Sequence, residues 1–129
     1  IAVAIAWSGD IQGLAADNPE LRWIAPKEGA MMYSDNMLIP KTAEHPDLAA
    51  AWMNYCYDPA HSAQIVTAAP YISAVKGAGE ALAKIDPELA KSPLVNPPEE
   101  LRARLHVFKW LEDAEDQEFN RLFQDAIGA

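Results

Sequence analysis

Six apolar residues open the sequence, Ile1-Ala-Val-Ala-Ile-Ala6, and they constrain the fold more than any later stretch. A run that is apolar on both alternating faces and carries β-branched residues predicts a strand covered on both sides, as in a parallel sheet. Trp7-Ser8-Gly9-Asp10 follows at its carboxyl end. Ser8 suits the N-cap of a helix that runs through Ile11, Leu14 and Ala15 to about Asp17, where Asn18-Pro19 ends it. Leu21–Ala25 reads as a second short strand, and Pro26-Lys27-Glu28-Gly29 as a turn. Strand, helix, strand is α/β organisation. Ligands of open α/β sheets sit beyond the carboxyl ends of strands, where Trp7 and Asp10 fall. A chain that starts inside a buried strand, with no Met and no polar lead-in, is expected to be a fragment of a longer protein. A missing signal peptide then says nothing about where the parent resides.

The turn leads into Glu28–Pro40, EGAMMYSDNMLIP. Tyr33 and Asp35 stand two residues apart, so on a strand they share one face. An aromatic face with a hydroxyl beside a fixed negative charge suits a cation with an apolar stem, such as an amine. The same pattern also describes a half-buried strand whose Asp caps the next turn.

Beyond Pro40 the period becomes helical. Pro46 fits a first turn, with Leu48, Ala51, Trp52, Tyr55 and Cys56 at helical spacing as far as Tyr57. Asp58-Pro59 reads as an N-cap and first helical position, opening a second helix to about Ala69 and so an αα-hairpin. In the loop Pro70-Tyr71-Ile72-Ser73, Tyr71 occupies an exposed position, equally open to packing on its own loop and to a contact role. Short helices are expected over Gly79–Ile85 and from Pro87, then a proline-rich connector over Ser92–Pro98 and helix again over Pro98–Leu105. The last helix, Ala114–Ile127, carries a stripe of Phe119, Leu122, Phe123, Ala126 and Ile127 that reads as core.

The 129 residues suffice for one domain with a core, and the net charge of −9 argues against a nucleic-acid partner, because phosphate recognition needs a positive field. It is compatible with a cationic small ligand. One cysteine, Cys56, forbids an intrachain disulfide and is expected as a buried thiol. The three histidines, His45, His61 and His106, have no metal-ligand spacing, and no phosphate loop or nucleophile elbow is present, so neither metal, cofactor nor catalytic residue is assigned. The acidic run Glu112–Asp116 complements a helix start rather than forming a calcium site. No stretch is apolar and long enough to span a membrane.

AWSGD (6–10), PKEGAMMYSDNMLIP (26–40) and the hairpin ending in PYIS (70–73) together resemble the C-terminal third of periplasmic polyamine-binding proteins, the putrescine/spermidine receptors of ABC importers. The resemblance weakens after about Ala78. It implies a fragment of a type II periplasmic-binding-protein fold, two α/β lobes joined by hinge strands. Residues 1–33 would belong to the second lobe, 34–72 to a hinge strand and a helical hairpin of the first, and 73–129 to the return into the second. It further implies that Trp7, Asp10, Tyr33, Asp35 and Tyr71 line the ligand cleft. The carboxylates would take the ammonium groups, and the aromatics would wall the methylene chain. Relatives often carry Trp or Phe where Tyr33 stands, so its hydroxyl would bear on ligand choice. Ser8 and Glu28 fit cap and turn roles. The implied partners are a polyamine and a membrane permease, and the implied location is the periplasm.

The residue chemistry agrees. A diamine buried in a cleft must exchange two hydration shells for carboxylates, and Asp10 and Asp35 offer two. An amino-acid ligand such as γ-aminobutyrate needs a cation for its carboxylate, and Trp7–Asp10 supplies none. Ferric-ion relatives use adjacent tyrosines, and no Tyr-Tyr pair occurs. Two other readings stand beside this one: a hydrolase using Asp10 and Asp35 as a carboxylate pair, and a structural piece whose helices mediate association.

Overall fold

The computed structural model describes residues 3–128. Helices dominate. They are α1 (Ser8–Asp17), α2 (Pro46–Cys56), α3 (Pro59–Ala68), α4 (Ala78–Ile85), the single turns α5 (Pro87–Ala90) and α6 (Glu99–Arg102), and α7 (Asp113–Ile127). Two short strands, β1 (Ala30–Met32) and β2 (Leu105–Val107), pair in parallel, with Ala30 opposite Leu105 and Met32 opposite Val107. Parallel strands need a long crossover, and the whole stretch from α2 to α6 provides it.

Local chemistry sets most helix boundaries. Pro46 and Pro59 stand in the first turns of α2 and α3, where a missing N–H costs nothing. Asp58 caps α3, its Oδ1 accepting from the backbone N–H of Ala60 at 2.8 Å and of His61 at 3.2 Å. Asp86 caps α5 in the same way through Leu89 at 2.9 Å. Glu112 and Glu115 close a capping box at the start of α7. The predicted hairpin, the short helices over 79–85 and from Pro87, the connector over 92–98 and the last helix therefore stand as expected.

The core lies in the crossover. Ala63 and Val66 of α3 pack with Leu82 of α4, Ala90 of α5 and Val95 of the connector, and Ala81 and Leu89 lie against them. Arg102 holds the connector in place, donating from Nε to the Pro97 carbonyl at 2.8 Å and from Nη2 to Asn96 Oδ1 at 3.2 Å.

Several expectations fail, and most fail for one reason. Of the predicted strand 1–6, residues 1 and 2 lie outside the described residues. Residues 3–6 form no ladder, and Val3 and Ile5 are 89% and 104% exposed. Leu21–Ala25 is likewise irregular, with Ile24 exposed. A strand satisfies its backbone only beside another strand, and none pairs with these segments among the described residues. The central run is a strand only as far as Met32, so Tyr33 and Asp35 lie in an irregular segment beyond it. The helix expected over 98–105 is one turn, and Leu105 starts β2 instead. The stripe on α7 is not core: Phe119, Leu122, Phe123, Ala126 and Ile127 are all exposed. Cys56 is half-buried, and Ser8 is the first residue of α1 while Trp7 holds the cap position without a side-chain cap bond.

Candidate functional site

α1 begins directly after Trp7, and this start builds the site. Trp7 has extended backbone and Ser8 turns into helix, so Gly9 and Asp10 fall in the first turn. A carboxylate there is favoured by the partial positive charge of the helix start. Trp7 and Asp10 are both exposed, while Gly9 is buried.

Two other segments reach this turn. Tyr33, one residue past β1, lays its ring against Trp7 with centroids 4.7 Å apart and planes at 60°, a tilted aromatic pair. Tyr71, in the loop after α3, donates its hydroxyl to Asp10 Oδ1 at 2.5 Å. Its ring lies flat over Gly9: a Cβ at that glycine would stand 2.6 Å from Cγ, Cδ2 and Cε2 of Tyr71. The hydrogen bond to the Asp10 carboxylate, helped by partial desolvation and by the charges of Asp10 and Tyr33, pushes the Tyr71 phenol up to about 12. Tyr71 therefore stays a neutral donor at any physiological pH.

Each partner is itself held. Gly29, at φ +118°, turns the chain into β1 in a conformation that side chains rarely adopt. A Cβ there would also meet the Arg104 carbonyl and the His106 ring, so only glycine lets β1 lie this close to β2. The Ala30 N–H donates to the Arg104 carbonyl at 3.1 Å, and Arg104 Nη1 donates to the Pro26 carbonyl at 2.8 Å. The Tyr71 loop is tied to α3, where the hydroxyl oxygens of buried Ser62 and of Ser73 lie 2.8 Å apart, and Ser73 Oγ accepts from the Val75 N–H at 3.0 Å. A hydrogen bond from Ser92 Oγ to Gln12 Oε1 joins α1 to the connector.

Four of the five sequence-predicted residues, Trp7, Asp10, Tyr33 and Tyr71, thus meet from three distant segments. Asp35 is exposed two residues past Tyr33 and makes none of these contacts. Sequence reasoning missed Gly9, although a glycine in a first helical turn is itself a signal, because it costs helix stability relative to alanine. The site has an aromatic wall and one carboxylate, with Oδ1 engaged by Tyr71. Chemically it suits a cation with an apolar stem. Among the described residues no cluster of His, Cys, Asp and Glu is placed to hold a metal, and no helix is long and apolar enough to cross a membrane.

The chain belongs to the bacterial extracellular solute-binding protein family, whose model matches residues 1–97. It is similar to the putrescine-binding periplasmic protein PotF of Escherichia coli, 31% identical over 115 residues, covering 84% of this chain and 30% of that protein. It is also similar to the putrescine-binding periplasmic protein SpuD of Pseudomonas aeruginosa, 30% identical over 114 residues with the same two coverages, 84% and 30%. A spermidine/putrescine-binding periplasmic protein of Haemophilus influenzae is 24% identical over 131 residues, covering 100% of this chain and 35% of that protein. The chain therefore spans about a third of the length of these curated relatives. No solved structure matches it significantly. The mixed, mostly helical architecture with few strands is compatible with a piece of such a protein.

Proposed function

We propose that this chain is the C-terminal part of a periplasmic polyamine receptor of an ABC importer, and that Trp7, Asp10, Tyr33, Asp35 and Tyr71 form one wall of its amine cleft. Residues 1–33 then belong to the second lobe, 34–72 to a hinge strand and a helical hairpin of the first, and 73–129 to the return. The opposite wall lies in the part of the receptor beyond this chain. The observation that carries the reading is the meeting of Trp7 with Tyr33 and of Asp10 with Tyr71, from segments far apart in sequence. The putrescine- and spermidine-binding relatives support the ligand class.

The physical account is short. Asp10 Oδ2 takes one ammonium while Tyr71 holds Oδ1, and the Trp7 and Tyr33 rings line the methylene chain. Asp35 takes the second ammonium from its exposed position two residues past Tyr33. Each charge-assisted hydrogen bond contributes about 1.5–3 kcal/mol, which offsets desolvation of the ammonium. Recognition needs no bond-breaking step, and Asp10, bonded to a neutral phenol, is arranged as an acceptor and not as an acid/base partner of Asp35. Closure of the lobes on the ligand would present the receptor to its permease.

Calorimetric titration of the full-length protein with putrescine, spermidine, γ-aminobutyrate and arginine tests the proposal. Saturable heat is expected with the two polyamines. Heat with the amino acids alone would overturn it.

A further inference from the structure

Gly9 has a steric environment unlike that of any other helical glycine in the described residues. Gly13, one turn later in α1, has nothing within 4 Å of a Cβ position, and Gly79 in α4 has only the Asn96 side chain, no nearer than 3.4 Å. A Cβ on Gly9 would stand 2.6 Å from three atoms of one aromatic ring, a separation that forces the ring to move. That ring is Tyr71, and its hydroxyl reaches Asp10, the next residue. Nor is the loop free to yield by moving as a whole, because Ser73 is bonded to buried Ser62 and to the Val75 N–H.

From this geometry we propose that Gly9 is a positioning residue of the amine site: its bare Cα is the seat on which the Tyr71 ring lies, and that seat aims the phenol at Asp10 Oδ1. The inference rests on the polyamine-receptor reading for its ligand but not for its geometry. Its consequence is specific. With Tyr71 fixed on Oδ1, Asp10 offers the ligand one oxygen, Oδ2, in one direction. With the seat filled, the carboxylate rotates freely and must lose that freedom when it binds. Glycine is the residue that the position requires for the ring, not for the helix, since alanine is the better helix former.

The test uses the full-length protein and five variants: Gly9→Ala, Tyr71→Ala, Gly9→Ala with Tyr71→Ala, and, as spectroscopic references, Tyr71→Phe alone and with Gly9→Ala. Without ligand, phenolate absorbance near pH 10.5 is read as the difference from the Tyr71→Phe form in the same background. An ordinary tyrosine is more than half ionised there, with its midpoint at about 10, whereas Tyr71 with its midpoint at about 12 is not. Gly9→Ala is expected to make Tyr71 ionise like an ordinary tyrosine. It is also expected to weaken putrescine binding by about three- to tenfold, the cost of immobilising one side chain that the wild type already holds. In the Tyr71→Ala background the same substitution is expected to change putrescine affinity by less than about twofold, because no ring remains to displace.

A Gly9→Ala protein whose Tyr71 remains un-ionised near pH 10.5 would overturn the inference, as would equal losses of affinity in both backgrounds. If Gly9→Ala alone fails to fold, refolding by added Tyr71→Ala supports the seat, and continued failure overturns it. Should the wild-type protein bind no polyamine, the functional reading falls, and the phenolate measurement still decides the role of Gly9.

Discussion

At the scale of single residues, the candidate site is a set of side chains each fixed by a different kind of contact. Trp7 and Tyr33 are paired by their rings, Asp10 and Tyr71 by a charge-assisted hydrogen bond, and Gly9 by what it lacks. The Tyr71 phenol titrates at about 12, above its ordinary value of 10.0. A group whose pKa is raised in the folded state contributes stability that is complete below the unfolded value and is lost as pH rises through the folded one. The stability difference between wild type and Tyr71→Phe is therefore expected to stay constant from pH 7 to about 9 and to shrink between about 10 and 12. Urea denaturation of both proteins across that range checks it; a difference that grows with pH would contradict the hydrogen bond as its source. Residue identity made only part of the site legible before the structure: Tyr33 beside Asp35 suited a cation, Trp7 and Asp10 fell at the end of a predicted strand, and Tyr71 was open to two readings. The family resemblance alone put them together. Gly9 stayed hidden because its role depends on a ring 62 positions away.

At the scale of elements, helices were legible and strands were not. A helix satisfies its own backbone, so its signals are local: proline in the first turn, aspartate at the cap, apolar residues at helical spacing. The cap at Asp58 illustrates this, since both of its hydrogen bonds are to the next three residues. Asp58→Ala is expected to destabilise the hairpin by about 1 kcal/mol, read as a lower denaturation midpoint with unchanged cooperativity. No loss of stability would show that α3 is held by packing alone. Strands take their partners from afar. Leu105–Val107 is three residues long and pairs with Ala30–Met32 across the entire crossover, so no periodicity could mark it. Conversely, 1–6 and 21–25 have strand composition, but among the described residues 3–6 and 21–25 have no strand beside them and form none. The α7 stripe was recognisable as an apolar face, but not as an exposed one, because amphipathicity tells which side seeks cover and not whether this chain provides it.

At the scale of the whole molecule, the small core and the large exposed surface belong together. The buried cluster is confined to α3, α4, α5 and the connector, while Trp52, Phe108, Trp110 and Phe119 stand at 60% exposure or more. Large apolar side chains left uncovered on several elements offer surface that another part of a longer protein can cover. A chain spanning about a third of its relatives' length has a candidate for that cover in the portion of such a protein that it does not span. The isolated 129 residues are accordingly expected to bind a hydrophobic dye strongly, to self-associate, and to bind putrescine far more weakly than the full-length protein. Stoichiometric, tight binding by the isolated chain would contradict the placing of half the cleft elsewhere.

The most direct test of the amine cleft is a crystal structure of the full-length protein with putrescine bound. One ammonium is expected at about 2.8 Å from Asp10 Oδ2, with Tyr71 still on Oδ1, the methylene chain against the Trp7 ring, and the second ammonium at Asp35. Putrescine bound away from Asp10 and Trp7 would contradict the account.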